Sequence, residues 1–220
     1  MPAVVIQDVL RKKCPGLCLG VLTATATNAA HDAALWAQLK EEAGRLRQRQ
    51  TLDDIHRHPA IAAVREAYKR CGKNPTRYRP AAEALRRRIV KGQGLSPVCN
   101  LVDIINLVSL RSGFCIGGFD ADAVRGNPVW GIGQPDEPFE AIGRGPLNIA
   151  GMPAVRDEQG AIGTPSSDSV RTRITLETQR VMLIVNAYDG AGGVEEALQH
   201  AEGLLTEYTS GRAFVAEVVQ

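Results

Sequence analysis

Four histidines, five cysteines and one dense basic run are the parts of this sequence whose chemistry can be weighed first. His31, His56, His58 and His200 all fall in segments with helical patterning, away from the loop-rich middle of the chain, so surface or capping roles suit them. No serine–histidine–aspartate signature, nucleophile elbow, P-loop or dinucleotide fingerprint is present. Cys14 and Cys18 are four apart, yet no second closely spaced Cys or His pair completes a tetrahedral zinc site. The thiols therefore read as buried and free, and their odd number suits a reducing compartment. Gly190, Gly192 and Gly193 follow an apolar run and precede a helical one. Amides there could cradle a phosphate, but a glycine cluster alone reads first as a flexible turn.

The basic run is the more informative feature. Between Arg65 and Lys91 ten basic residues stand against Glu66 and Glu83, so this stretch carries +8, while the net charge of +2 leaves −6 for the rest. A merely solvated helix tends to mix Glu with Lys. A belt this poor in carboxylates is the footprint of a polyanion partner.

Around these residues the chain has the size and composition of a folded globular protein. Its 220 residues can bury a core without disulfides or metal. Hydrophobic residues at 44% and charged ones at 23% exclude a disordered or membrane-spanning chain. The start has no basic leader before an apolar stretch, so the expected location is the cytoplasm. One domain over residues 1–220 is expected.

The elements that must position the chemistry follow from periodicity. Residues 3–9 and 17–27 read as two strands broken by Pro15-Gly16. Ala29 to Gln50 reads as a helix with Asn28 as cap. Leu52 to Arg70 reads as a second helix capped by Thr51 and interrupted at Pro59. Pro80 suits the first position of a helix running to Lys91, in which Arg86, Arg87 and Arg88 cannot all point inward. Leu101 to Ser112 reads as a buried helix ended by Gly113. From Phe114 to Thr172 the composition shifts to short apolar bursts with Gly and Pro, the mark of strands and long functional loops. Val181–Val185 reads as a buried strand, followed by a helix from Val194 to about Tyr208 and a strand from Ala213 to Val219.

Three runs carry a family resemblance: Asn74-Pro75-Thr76-Arg77-Tyr78-Arg79-Pro80; Leu101-Val102-Asp103-Ile104-Ile105-Asn106-Leu107 with Ile116-Gly117-Gly118-Phe119-Asp120; and Asp168-Ser169-Val170-Arg171-Thr172-Arg173-Ile174-Thr175. In order and spacing, residues 74–189 resemble freestanding homologues of the tRNA-editing module, the third and fourth domains, of the phenylalanyl-tRNA synthetase beta subunit. The alternation of apolar strand-like runs with amphipathic segments predicts a mixed α/β (α+β) fold with the layered sheets of that module, flanking helices from 29 to 91 packed on one side, and a C-terminal strand–helix–strand closing the sheet.

The resemblance implies hydrolysis of the ester that joins an amino acid to the terminal adenosine of tRNA, with no cofactor and no metal. Asn106, Asp168 and Arg171 would do the chemistry: Asn106 positioning the amine or a water, Asp168 holding the ammonium, Arg171 taking a phosphate or the oxyanion. Asp168 and Arg171 could equally form a structural ion pair across a turn. Asp103, Gly117, Gly118, Ser169 and Thr172 would complete the substrate pocket, with Gly117 and Gly118 letting substrate approach the backbone. A bulky residue at 117 should then block activity without unfolding the protein. Arg77, Arg79, Arg86, Arg87 and Lys91 would contact tRNA, with neither membrane nor DNA as a partner. The sequence departs from the synthetase module at Ile105, usually a hydroxyl residue there, at Gly117, usually histidine, and at Arg173, where the synthetase has a glutamate. A noncatalytic RNA-binding module and a binder of free amino acids stay open beside the deacylase.

Overall fold

The computed structural model describes residues 3–220. Its centre is an antiparallel sheet of β2 (Cys18–Thr25), β3 (Cys115–Asp120), β10 (Arg180–Ala187) and β11 (Arg212–Val219) in the order β11-β2-β10-β3. The second sheet, in the order β1-β4-β7-β8-β9, is built from β1 (Val5–Ile6), β4 (Val129–Ile132), β7 (Pro153–Asp157), β8 (Gly160–Thr164) and β9 (Ser167–Asp168). A small ribbon pairs β5 (Glu140–Ala141) with β6 (Gly145–Pro146). The helices among the described residues are α1 (Asp8–Lys13), α2 (Ala33–Arg49), α3 (Leu52–Arg57), α4 (Pro59–Arg70), α5 (Ala81–Val90), α6 (Asn100–Ser112) and α7 (Val194–Thr209), with a single 3-10 turn at Val170–Thr172.

Strand alternation divides the interior in two. Leu22, Leu183 and Val185 face a core shared with α2, α6 and α7, while Leu19, Val21, Met182 and Ile184 face a core shared with α3, α4 and the second sheet. The two-residue period makes one strand serve both cores. The helices from 29 to 91 are thus split between the two faces and do not all pack on one side. α5 lies across the seam, placing Ala82 in one core and Ile89 in the other. The mixed α/β architecture is as expected, and so is the closing strand–helix–strand, in which β11 flanks β2.

Local chemistry explains where the elements begin. Thr51 caps α3 in a reciprocal capping box with Asp54, and Pro59 opens α4, so the expected interruption is a clean break between two helices. Pro80 stands just outside α5 as its cap residue. α2 begins at Ala33, where Asp32 accepts from the amides of Ala34 and Leu35 at 2.9 Å. Asn28, the expected cap, instead donates to the Thr175 carbonyl at 2.8 Å. The expected strand over 3–9 is only two residues long and pairs parallel to β4. α1 follows at once, with Asp8 in its first turn and Arg11, Lys12 and Lys13 in its last, the charge order that favours a helix. All five cysteines are free and buried, and none of the described helices is long and apolar enough to cross a membrane.

Candidate functional site

A groove of about 430 Å³ runs between α5, α6 and the edge strand β3. Its apolar wall includes Leu85, Ile105 and Ile116, and its polar lining includes Asn106, Arg87, Lys91 and Arg144. Helical spacing puts Asn106 there: it is the half-exposed residue of an otherwise mostly buried turn, flanked by Ile105 and Leu107. Its amide makes no hydrogen bond to any described residue, as free a hydrogen-bonding group as a ligand could find.

The other members of the expected pocket are placed differently. Asp103 is fully buried, accepting from Trp36 Nε1 at 2.7 Å and from the Val98 amide at 3.3 Å, and so ties α6 to α2. Burial raises its carboxyl above the ordinary range. Gly117 and Gly118 point to opposite faces of β3. A Cβ on Gly117 would lie 2.8 Å from the Phe119 ring, and one on Gly118 would run into the Cδ1 atoms of Ile105 and Ile174. Both spaces are filled by the protein's own side chains, so these glycines serve packing. A bulky residue at 117 would disturb the core, contrary to the sequence expectation.

Asp168 lies against the free edge of β3, where its Oδ2 accepts from the Gly118 amide at 3.1 Å. Part of the residue stays open to solvent, but protein surrounds the carboxyl. Burial raises it to about 7, against the opposing pull of that amide. Because the folded value lies above the ordinary 3.8, the fold prefers the protonated form. The stability this gives is fully present below 3.8 and is lost as pH rises through about 7. Asp168→Asn should therefore flatten the fall in stability across that interval, measured by chemical denaturation at acid and mildly alkaline pH. An unchanged pH profile would show that the carboxyl titrates normally.

Arg171 does form an ion pair, but with Asp157 and not with Asp168. Its Nη2 and Nη1 donate to the two carboxylate oxygens at 2.6 and 3.0 Å, and the Arg125 and Gln159 amides complete the set at 2.9 Å each. Burial alone would raise Asp157, yet these donors hold it below the ordinary range. Ser169 accepts from the Arg171 amide and starts the 3-10 turn. Thr172 is fully buried. Neither lines the groove.

The basic belt also divides. Arg79, Arg87 and Lys91 line the groove, whereas Arg77 is exposed beside the Tyr78 ring, 5.4 Å from its centroid. Arg86 is only 2% exposed and donates to the Leu110 carbonyl at 2.7 Å. Burial brings its pKa down to about 10, and no phosphate can reach it. Arg144, which precedes β6, is the groove cation that sequence reasoning missed. A lone arginine in a glycine-rich loop gives no periodic signal.

A larger hollow of about 810 Å³ lies between α4, α6 and α7, lined by His58, Arg111 and His200 among others. Its Arg111 is already engaged by His200, Gln38 and Glu42, and burial pushes His58 down to about 4. His58 sits half-buried between α3 and α4 as the cap residue of both, the capping role expected of it, though its side chain makes no capping hydrogen bond. This hollow has mixed charge: Gly192 and Gly193 of the glycine cluster line it together with Asp189 and Glu196, and none of the residues named for the substrate pocket does. The groove is the better candidate because its free amide and unpaired cations converge.

No curated protein matches in sequence. The fold is similar to that of an N-terminal fragment of the phenylalanyl-tRNA synthetase beta subunit from Pyrococcus horikoshii, with a TM-score of 0.50 and 12% sequence identity over 99% of this chain and 54% of that one. This chain spans about half the length of that fragment, and at such identity the likeness is one of fold. The B3/4 domain model matches residues 63–208, well over half of the sequence. The chain belongs to the B3/4 domain family.

Proposed function

We propose that this protein is a trans-acting deacylase that hydrolyses the ester of mischarged aminoacyl-tRNA, and that the groove beside Asn106 receives the aminoacylated end. The observation that carries the reading is the lining itself: a free amide and cations beside an apolar wall suit an ester that joins an amino acid to a polyanion. An activated ester needs little chemical assistance, so fixing it, orienting one water and stabilising the oxyanion suffice. Asn106 orients the amine or the water. Arg144, rather than the ion-paired Arg171, meets the terminal phosphate or the developing oxyanion. Arg87 and Lys91 hold the backbone beyond. Asp168 supports the β3 edge beneath.

The second reading, a noncatalytic RNA-binding module, is favoured by Ile105, an aliphatic side chain in the groove where the synthetase module has a hydroxyl, and by Gly117, which supplies no imidazole to the neighbouring strand. A panel of aminoacylated tRNAs separates the two: ester loss above the spontaneous rate supports the deacylase, and binding without turnover supports the module.

Lys91→Glu with Arg144→Glu tests the polyanion itself. Binding should weaken for all tRNAs alike. The dependence of log affinity on log salt should flatten by about 0.7–0.9 for each phosphate that is no longer neutralised. Gel shifts at two salt concentrations read this directly, and unaltered binding would remove RNA as the partner.

A further inference from the structure

Resting on that reading of the groove, we infer that it accepts aminoacyl groups with uncharged aliphatic side chains and turns away basic and large aromatic ones, with Ile105 setting its depth.

Charge comes first. No carboxylate is among the residues that line the groove. Its cations differ in what they already hold: Arg79 donates to Glu83 and Arg88 to the Gly94 carbonyl, whereas the side chains of Lys91 and Arg144 have no hydrogen-bond or ion-pair partner among the described residues. Every aminoacyl ester brings an α-ammonium, which the oxygen of Asn106 can accept. A lysine or arginine side chain adds a second positive charge, and there is nothing in the groove to pair it. Like charges in a partly desolvated cleft repel strongly enough to weaken binding by roughly tenfold or more.

Depth comes second. Ile105 and Ile116 are contiguous with the apolar wall, and Ile105 is nearly buried. The Cδ1 of Ile105 occupies the space directly over Gly118, joined by the Cδ1 of Ile174, which lies 3.1 Å from where a Cβ on that glycine would stand. The backbone of β3 is therefore shielded by two aliphatic side chains. An aliphatic side chain can rest against this floor, but a ring cannot pass it. Truncating Ile105 would open the space down to Gly118. An apolar pocket discriminates by a few methylenes at about 10–200-fold, the range expected between a side chain that fits and one that does not.

The test measures binding of aminoacyl-adenosine analogues whose ester is replaced by an amide, carrying valine, leucine, tyrosine or lysine, by calorimetry. The wild-type protein should bind the valine and leucine analogues roughly tenfold or more tighter than the other two. Ile105→Ala should bring tyrosine up to the level of leucine, with Ile105→Val intermediate if alanine compromises folding. Arg144→Glu should raise lysine while leaving valine ahead of tyrosine. Equal binding of all four by the wild type would overturn the selectivity and leave the deacylase reading standing, and so would an unchanged tyrosine affinity in both Ile105 variants. If none of the four binds, the groove is not the aminoacyl site and both readings fall together.

Discussion

Replacing Glu83 with alanine should destabilise the protein by about 3–5 kcal/mol, the usual consequence of removing one member of a buried charged cluster. Glu83 is fully buried. Its carboxylate accepts from Arg65 Nη1 at 2.7 Å and from Arg79 Nε at 3.1 Å, and His56 Nε2 lies 3.1 Å away. These three partners sit on α4, just before α5, and on α3, so one carboxylate joins three segments. Alanine would leave Arg65, itself largely shielded, facing no counter-charge. Glu83→Gln, which keeps hydrogen-bonding capacity, should cost less, and truncating Arg79, which is partly exposed, less again. Urea denaturation monitored by circular dichroism gives the ranking. A loss under about 1 kcal/mol for alanine would place the cluster in the class of ordinary surface ion pairs. The groove would suffer with the fold, because α5 forms one of its walls.

Asn106→Ala has the opposite signature. The Asn106 amide has no partner among the described residues, so its removal should hardly touch stability. Under the deacylase reading, kcat/KM for the aminoacyl ester should fall by about 10²- to 10³-fold, the effect of removing one group that positions water or stabilises an oxyanion. If the amide only binds the substrate amine, KM should rise while kcat holds. An unimpaired variant would mean that the chemistry is done elsewhere.

What the sequence could tell depended on how local each signal was. The cap at Thr51, the break at Pro59 and the stop at Gly113 are encoded within a few residues, and the structure has them. The strand around Val181–Val185 is a continuous apolar run because both of its faces are covered. Which face α2 or α4 covers is set by pairings between distant strands, and no local pattern reports that. The partner of Arg171 is Asp157, fourteen positions before it and brought near by the β7–β8 hairpin, so an acidic residue closer in sequence was the natural expectation. The burial of Arg86 does have a local signal. Ala82, Arg86 and Ile89 share helical spacing and are all buried, so the middle arginine falls on the inward stripe. Asn106 was legible from a run of residue types alone, since nothing in the periodicity distinguishes a groove from plain solvent.

The place of β2 in the central sheet has a consequence for how the chain is made. β2 ends at Thr25, and both strands that flank it come from the far end of the sequence, β10 starting at Arg180, 155 positions later. During synthesis at about 5–20 residues per second, β2 therefore waits on the order of ten seconds for its first neighbour. Through that interval Leu19 and Val21 on one face, and Cys18, Leu22 and Ala24 on the other, have no sheet to join. Such a segment is a natural site for a holding chaperone on the nascent chain, and closure of the sheet is a late step of high contact order.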